Sequence, residues 1–254
     1  MLTYSYLCNM NWNIVHIEET DSTNQWLKDY VARQEQGLEA SAANIVVVAR
    51  NQIAGRGCGT NTWESEPGKN LTFSMLIHPE SLPANRQFYI SEVTSVAICE
   101  MLENYLHRRV EVKWPNDIYV GDKKICGMLI ENTLQGNSIK NSIIGIGVNV
   151  NQQVFRSDAP NPVSMWQLTG HEAALEELMK AFLLAFETVL SRKTASNDYW
   201  ERLYRRTGQH EFRDKAGLFL AEISRIHPDG RLVLKDDKGQ ERCYAFKEVQ
   251  FELR

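Results

Sequence analysis

Residues 110–150 read VEVKWPNDIYVGDKKICGMLIENTLQGNSIKNSIIGIGVNV, and this stretch decides the fold. Val110 to Trp114, Ile118 to Val120, Ile125 to Ile130 and Ile139 to Val150 are short runs rich in β-branched residues. The turn residues Gly121-Asp122 and Gln135-Gly136-Asn137 separate them, so adjacent runs double back on one another. A mixed, largely antiparallel sheet is the economical result. Just upstream, Leu71, Phe73, Met75 and Ile77 alternate with Thr72, Ser74 and His78, a period-2 strand that stops at Pro79. Between the two, Phe88, Val93, Ala97, Met101, Leu102 and Tyr105 recur near every 3.6 residues and predict a helix over Arg86 to Leu106. Strands and helices that succeed each other in this irregular order make the fold α+β.

Working outward, Asn13 to Ile17 reads as a strand, and Asp21-Ser-Thr-Asn24 offers N-cap oxygens to a helix that carries Trp26, Leu27, Tyr30 and Val31 and ends near Gly37. Ile45 to Ala49 has the apolar run of a central strand and feeds a long Gly-rich segment, Asn51 to Asn70. Beyond the sheet, Leu175, Leu178, Met179, Phe182, Leu183, Phe186 and Leu190 predict a helix over Glu172 to Leu190, and a shorter one covers Tyr199 to Arg205. Trp12, Trp26, Trp166 and Trp200 read as core. The boundary falls at Thr207-Gly208. After it, Leu218 to Ile223, Leu232 to Leu234 and Cys243 to Phe251 alternate with turns at His227-Pro-Asp-Gly230 and Asp236-Asp-Lys-Gly239, the pattern of a small all-β barrel. The expected organisation is a domain over 1–207 and a second over 208–254.

At 254 residues with 43% apolar and 24% charged residues, the chain is long and apolar enough to bury a core. A net charge of −4 gives no positive field to draw in nucleic acid or an anionic membrane. The five cysteines (Cys8, Cys58, Cys99, Cys126 and Cys243) form no C-x-x-C pair, which points to a reducing cytoplasm rather than a disulfide framework or zinc knuckle. Met1 to Met10 lacks the basic start of an export signal, and no window approaches the roughly 18 apolar residues of a membrane span.

Chemistry concentrates in a few places. Gly55-Arg-Gly-Cys-Gly59, between Gln52 and Trp63, sets glycines at alternate positions around Arg56, so backbone N–H groups and a guanidinium can meet an anion there; a flexible surface loop is the other reading. The Walker A and dinucleotide spacings are absent: Trp63, Asn70 and Thr60 stand where those motifs need other residues. In Lys113-Trp-Pro-Asn-Asp117, Trp114 before Pro115 favours an extended end to the strand and presents Asn116 and Asp117, suited to a metal ion or a ribose, or simply to a β-turn. Lys124, at the start of the apolar strand that holds Gly127, can point inward as a fixed charge, or lie with Lys123 on a solvated hairpin turn. Gly145-Ile-Gly-Val-Asn149 reads as a strand kept bare for a ligand, or for packing alone. His171-Glu172 lacks a second histidine, no G-x-S-x-G elbow occurs, and the six histidines are scattered.

Taken in order, Ser22-Thr-Asn24, Gln52, Gly55-Arg-Gly57 with Trp63, Lys113-Trp-Pro-Asn-Asp117, Lys124 with Gly127, and Gly145-Ile-Gly-Val-Asn149 resemble the biotin protein ligases, also called biotin–(acetyl-CoA-carboxylase) ligases. The resemblance covers about residues 12–190. It implies a class II synthetase-like catalytic domain with a small C-terminal SH3-like β-barrel, and two half-reactions: biotin and Mg-ATP give biotinyl-5′-AMP, then a lysine of a biotin carboxyl carrier protein domain takes the biotinyl group. By the same resemblance Ser22, Thr23, Asn24 and Gln52 bind biotin's polar head with Gly127 and Gly145 beside it, and Arg56, Gly57 and Cys58 close over the adenylate. Lys124 neutralises the carboxylate and α-phosphate, with Arg56 the second catalytic cation. Trp63, Asn116, Asp117 and Asn149 serve the nucleotide, Asp117 through Mg²⁺.

One departure stands out: many members of that family carry arginine where Cys58 stands, so this loop presents one fewer cation, and backbone N–H groups or Lys69 are the expected substitutes. Only about ten residues precede the first strand, which implies the single-function form with no DNA-binding domain. Lipoate–protein ligase or transferase, and a non-enzymatic biotin- or nucleotide-binding module, are the rival functions. Neither nucleic acid nor membrane is an expected partner, and a homodimer is left open.

Overall fold

The structure, a computed structural model, describes residues 12–37, 44–59, 61–79, 81–157 and 159–252. The Met1 to Met10 reading, Cys8 and Thr60 lie outside these. Seven strands form the main sheet: β1 (Asn13–Thr20), β2 (Ile45–Gln52), β3 (Leu71–Ile77), β4 (Glu111–Lys113), β5 (Asp117–Val120), β6 (Lys123–Gln135) and β7 (Ser138–Val148). Their order is β1-β2-β3-β7-β6-β5-β4; β1 and β2 run parallel and every other pair is antiparallel. The fold is thus α+β with a mixed, largely antiparallel sheet.

Both faces of the sheet are covered, and the period-2 alternation sorts residues between them. Val46, Phe73, Met75, Ile144, Ile146 and Val148 face the main core, built with α2 (Phe88–Leu106), α4 (Leu175–Arg192) and α5 (Ala195–Glu201). Ile45, Val47, Leu76 and Ile143 face the other way, onto Leu27 and Tyr30 of α1 (Thr23–Glu35). β3 is buried along its whole length because it lies mid-sheet with helices on both sides. Ile45 to Ala49, expected as a central strand, lies in β2, one place from the β1 edge; its apolar run comes from two covered faces rather than from a central place.

Other differences are local. The helix expected from Arg86 begins at Phe88, after a 3₁₀ turn over Ala84–Arg86, and the one expected from Glu172 begins at Leu175. The short helix expected over Tyr199 to Arg205 lies at Ala195–Glu201, and α3 (Met165–Thr169) has no counterpart among the expectations. α3 was legible in Ser164 and Gln167, which form a reciprocal capping box. Trp12 and Trp200 flank the main core half-buried, and Trp26 stacks on Tyr30 with ring centroids 5.7 Å apart.

The C-terminal part is an antiparallel sheet of β8 (His210–Asp214), β9 (Gly217–Ile226), β10 (Leu232–Asp236), β11 (Glu241–Tyr244) and β12 (Gln250–Phe251), in the order β11-β10-β9-β8-β12. β8 is not among the expected strands, and Cys243 to Phe251 is two strands joined by a turn. Phe212, Ala221, Leu232 and Phe251 belong to the same apolar cluster as the main core, so the two sheets share one interior. Cys58, Cys99, Cys126 and Cys243 are free thiols, and burial raises the pKa of the Cys99 and Cys126 thiols. Among the described residues, no helix is long and apolar enough to cross a membrane.

Candidate active site

The strand register makes the site. Gly147 of β7 stands opposite Thr72 of β3 on one side and Gly127 of β6 on the other; Gly145 stands between Ser74 and Leu129. Residues directly opposite share a face, so a strip of glycines and small hydroxyl residues, with Leu129 at one corner, crosses three strands on the face that carries α1. Asn24 fills the strip at Gly145, where a Cβ would lie 2.2 Å from the Asn24 Oδ1. Asn24 is buried, and its amide donates to the Leu129 carbonyl at 3.1 Å and to Glu131 at 2.8 Å. Burial pulls the Glu131 carboxyl up, but hydrogen bonds from Lys28 and Asn24 outweigh it and hold its pKa below the ordinary value.

Thr23 donates from both backbone N–H (3.0 Å) and hydroxyl (3.2 Å) to the Gln52 Oε1, and Ser74 Oγ lies 2.7 Å from the Thr23 hydroxyl and 2.6 Å from the Asn24 Oδ1. Ser22 caps α1 by backbone geometry alone, without the expected side-chain bond, so its hydroxyl is not committed to the helix. These polar groups sit at the start of α1, where helix N–H groups and the macrodipole already favour an acceptor-rich ligand.

The loop after β2 folds back over this strip as a small irregular hairpin. Gly57 N–H donates to the Asn61 carbonyl at 2.8 Å, Trp63 N–H to the Gly55 carbonyl at 2.9 Å, and Arg56 bridges to Thr62. Trp63 lies on the strip itself: a Cβ on Gly147 would stand 2.3 Å from its indole Cε2, and one on Gly127 3.0 Å from Cζ3. Its indole N–H is buried without a partner, an energetic debit that a ligand's acceptor would remove. The bare strand is therefore a seat for an aromatic ring.

Lys124 enters from the other side. Its backbone is fixed by Asn161, whose carbonyl accepts from Lys124 N–H at 2.8 Å, and by Val163, whose N–H donates to the Lys124 carbonyl at 2.9 Å. The side chain is thereby turned off the solvated hairpin and into the site, where its ammonium pairs with Asp117 at 2.7 Å and lies 6.0 Å from the centre of the Trp63 ring. Lys113 Nζ donates to the Tyr119 hydroxyl at 3.2 Å and lies over the rings of Tyr119 and Phe251. Burial lowers the Lys113 pKa and raises that of Tyr119. Asn149 donates to the Val163 carbonyl at 3.1 Å while its own Oδ1 is buried and unpartnered, an acceptor that a ligand's donor would satisfy. Asn116 makes only a long contact, 3.4 Å, to the Met128 carbonyl. Trp114, in contrast, is a structural anchor: its indole donates to the Gly230 carbonyl of the C-terminal sheet at 2.9 Å, and the Trp114–Pro115 bond is cis.

These groups enclose one cavity of about 680 Å³. Ser22, Thr23, Asn24, Gln52, Arg56, Gly57, Cys58, Trp63, Asn116, Asp117, Lys124, Gly127, Gly145 and Asn149 all line it, so every residue to which the family resemblance gives a role meets there. Lys69 does not; it pairs with Glu172 at 3.0 Å. Sequence reasoning missed three parts of the wall. Phe155, Ser157 and residues 159–162 form one rim, stapled by Glu64, whose carboxylate accepts from the backbone N–H groups of Arg156 (2.9 Å) and Ser157 (2.7 Å) and from Gln152 (3.0 Å). Tyr119 forms another part, beside Lys113 of the Lys113–Asp117 motif, and Phe246 arrives from the C-terminal sheet. Among these, only Pro160 and Pro162 announced an irregular segment.

Among the described residues, no group of three or more His, Cys, Asp or Glu side chains is placed to hold a metal. Among the described residues, Asp117 and Glu64 are the two carboxylates on the cavity wall, and Glu64 is spent on backbone donors. That donor set fits an ion such as Mg²⁺ only if it comes with phosphate oxygens and takes a single protein carboxylate.

A glycine-lined sheet strip under an aromatic ring, with Arg56, Lys113 and Lys124 on the same wall as a polar helix start, defines a site for an anionic ligand of nucleotide-like size rather than a nucleophile-and-base site. The chain belongs to the biotin/lipoate A/B protein ligase family, whose model matches residues 17–149. Within it, the bifunctional ligase/repressor BirA of Bacillus subtilis is 28% identical over 79% of this chain and 64% of its own length; the chain thus spans less than two thirds of that relative. The biotin–(acetyl-CoA-carboxylase) ligase of Paracoccus denitrificans is 30% identical over 67% of this chain and 70% of its own. Among solved structures, the biotin protein ligase of Aquifex aeolicus in complex with biotin and ATP superposes with a TM-score of 0.75 at 22% identity, over 94% of this chain and 99% of that one, and so shares the fold.

Proposed function

We propose that the chain is a biotin–protein ligase, which activates biotin as biotinyl-5′-AMP and transfers it to a lysine of a biotin carboxyl carrier protein domain. The observation that carries the reading is that Arg56 and Lys124, 68 positions apart in sequence, line one cavity together with the polar start of α1. In the first step a biotin carboxylate oxygen bonds to the α-phosphorus of ATP as the bond to pyrophosphate breaks. In the second, the carrier amine attacks the carbonyl carbon, AMP departs with the bonding pair, and the amine loses its proton to solvent. Both steps develop negative charge on phosphate oxygens, which fixed cations in a partly enclosed site stabilise without reorganisation.

In this reading Ser22, Thr23, Asn24 and Gln52 receive biotin's polar head, with Gly127 and Gly145 leaving room beside it. Arg56, Gly57 and Cys58 close over the adenylate, and Lys124 exchanges its bond with Asp117 for the biotin carboxylate and α-phosphate. That exchange would free Asp117 to hold Mg²⁺, which would screen the phosphates. Trp63, Asn116 and Asn149 serve the nucleotide, Trp63 by stacking and Asn149 through its unpartnered oxygen. The name of the Paracoccus denitrificans relative supports biotin over lipoate, and the free thiols among the described residues support the cytoplasm as its compartment. The division at 207/208 is supported by the start of the C-terminal sheet at His210.

Mass spectrometry of a biotin carboxyl carrier domain incubated with the protein, ATP and biotin tests this directly. One biotinyl group on one lysine is the expected product, with pyrophosphate released. Modification with lipoate and not biotin would select the other branch of the family; tight biotin binding with no pyrophosphate would make the protein a binding module.

A further inference from the structure

The C-terminal sheet reaches the cavity through one turn, residues 245–249 between β11 and β12. The turn is closed by Glu248, whose N–H donates to the Ala245 carbonyl at 3.1 Å while its carboxylate accepts from Ala245 N–H at 2.7 Å. Phe246 at its tip is 45% exposed, yet lines the cavity and meets Trp114 edge-on with ring centroids 6.1 Å apart. The next residue, Lys247, has a left-handed backbone, φ 71°, which a side chain bearing a Cβ rarely adopts. Its ammonium donates to the Cys58 carbonyl at 2.9 Å, at the crest of the loop that carries Arg56. Opposite it stands Gly59, where a Cβ would lie 2.3 Å from the Lys247 Nζ. The contact spans 189 positions in the chain, and the glycine at 59 leaves room for the Lys247 ammonium.

The charges around the loop give this contact its meaning. Arg56 is the only cation between Gly55 and Trp63, Lys69 is held by Glu172, and Lys124 by Asp117. Among the described residues Lys247 has no carboxylate within ion-pair distance; its positive charge is spent on a neutral carbonyl beside the cavity mouth. We propose that Lys247 is a positioning residue of the active site: from the C-terminal sheet it fastens the Gly55–Gly59 loop over a bound acyl-adenylate and supplies the cation that Cys58 does not. This rests on the adenylate-forming reading of the cavity. The C-terminal sheet then acts as the latch of a loop that belongs to the main sheet.

The test uses the full chain with Lys247→Met and Lys247→Arg. In ligand-free protein, hydrogen exchange of the Gly57 and Trp63 amides reports the latch: the Met variant is expected to exchange about fivefold faster, the loss of one solvent-exposed hydrogen bond, and the Arg variant close to the original. With biotin and ATP, release of biotinyl-5′-AMP in a chase experiment should rise by a similar factor in the Met variant alone, with the KM for biotin and the thermal midpoint unchanged. Wild-type release and exchange rates in the Met variant would overturn the role of Lys247 while leaving the ligase reading intact. Faster exchange without faster release would also overturn it, because the latch would then not hold the adenylate. A wild-type protein that releases no pyrophosphate would overturn the adenylate reading itself, and with it the inference.

Discussion

Gly145→Ala is the sharpest test of the bare strip. The added methyl would lie 2.2 Å from the Asn24 Oδ1 and 2.9 Å from its Cγ, so Asn24 must retreat by about an ångström to reach ordinary contact. It has nowhere to go: its amide is held by the Leu129 carbonyl and Glu131, and its oxygen by Ser74. Overpacking a well-filled site costs about 1–3 kcal/mol, and a buried polar group stripped of its partner about 1–3 kcal/mol more. Because relaxation relieves one at the expense of the other, a loss of about 3 kcal/mol is expected, which for a chain of this size lowers Tm by roughly 6–12 °C. Urea unfolding gives the free energy, and calorimetric titration with biotin gives the affinity, which should fall with it because Asn24 and its neighbours form the proposed biotin seat. A variant with Tm within 2 °C of the parent and unchanged biotin affinity would refute the argument that Gly145 is bare because Asn24 occupies its side-chain space.

Four further outcomes are expected. Glu64→Gln should cost about 1 kcal/mol at neutral pH by loosening the Arg156–Ser157 rim; because hydrogen bonds hold the Glu64 pKa below 4.5 against the pull of burial, the wild-type advantage is full above that value and should vanish as pH falls through the lower folded value. Acid unfolding curves that stay separated by the same amount at pH 3 would contradict this. Trp63→Phe should cost about 1–2 kcal/mol less than Trp114→Phe, since only the Trp114 indole N–H has a partner to lose; equal urea midpoints would count against it. Cys58→Arg should slow adenylate release, and Lys247→Met should matter less in that background, so additive effects in the double variant would be evidence against a shared function. Tryptic cleavage after Arg56 should slow when biotin and ATP are both present, and an unchanged digestion pattern would sink the idea that the loop closes over them.

The strands and helices were legible where the signal is local. The alternation in Leu71 to Ile77 and the 3.6-residue repeat of α2 are properties of a few consecutive residues, and each produced the element it predicts. Elements failed to show where the signal was non-local or split: β8 is five residues long with a single buried residue, and Cys243 to Phe251 reads as one strand until the turn at 245–249 divides it. The substitute cation shows the same limit. Lys69 is near the loop in sequence but faces Glu172, whereas Lys247 is remote in sequence and touches Cys58.

The amino-acid order by itself determined the composition of each face, the turns, and the residue types available for chemistry: a Gly-Arg-Gly loop, a lysine before an apolar strand, and glycines alternating along β7. Only the tertiary structure decided what those residues meet. Strand register put Gly127, Gly147 and Thr72 in one row, the return of Asn161 to Val163 aimed Lys124 inward, and the docking of the C-terminal sheet brought Phe246 to the cavity wall and Lys247 to Cys58. Side-chain alternation and helical periodicity are set within a few residues by backbone geometry, but a contact between distant segments depends on the packing of everything between them.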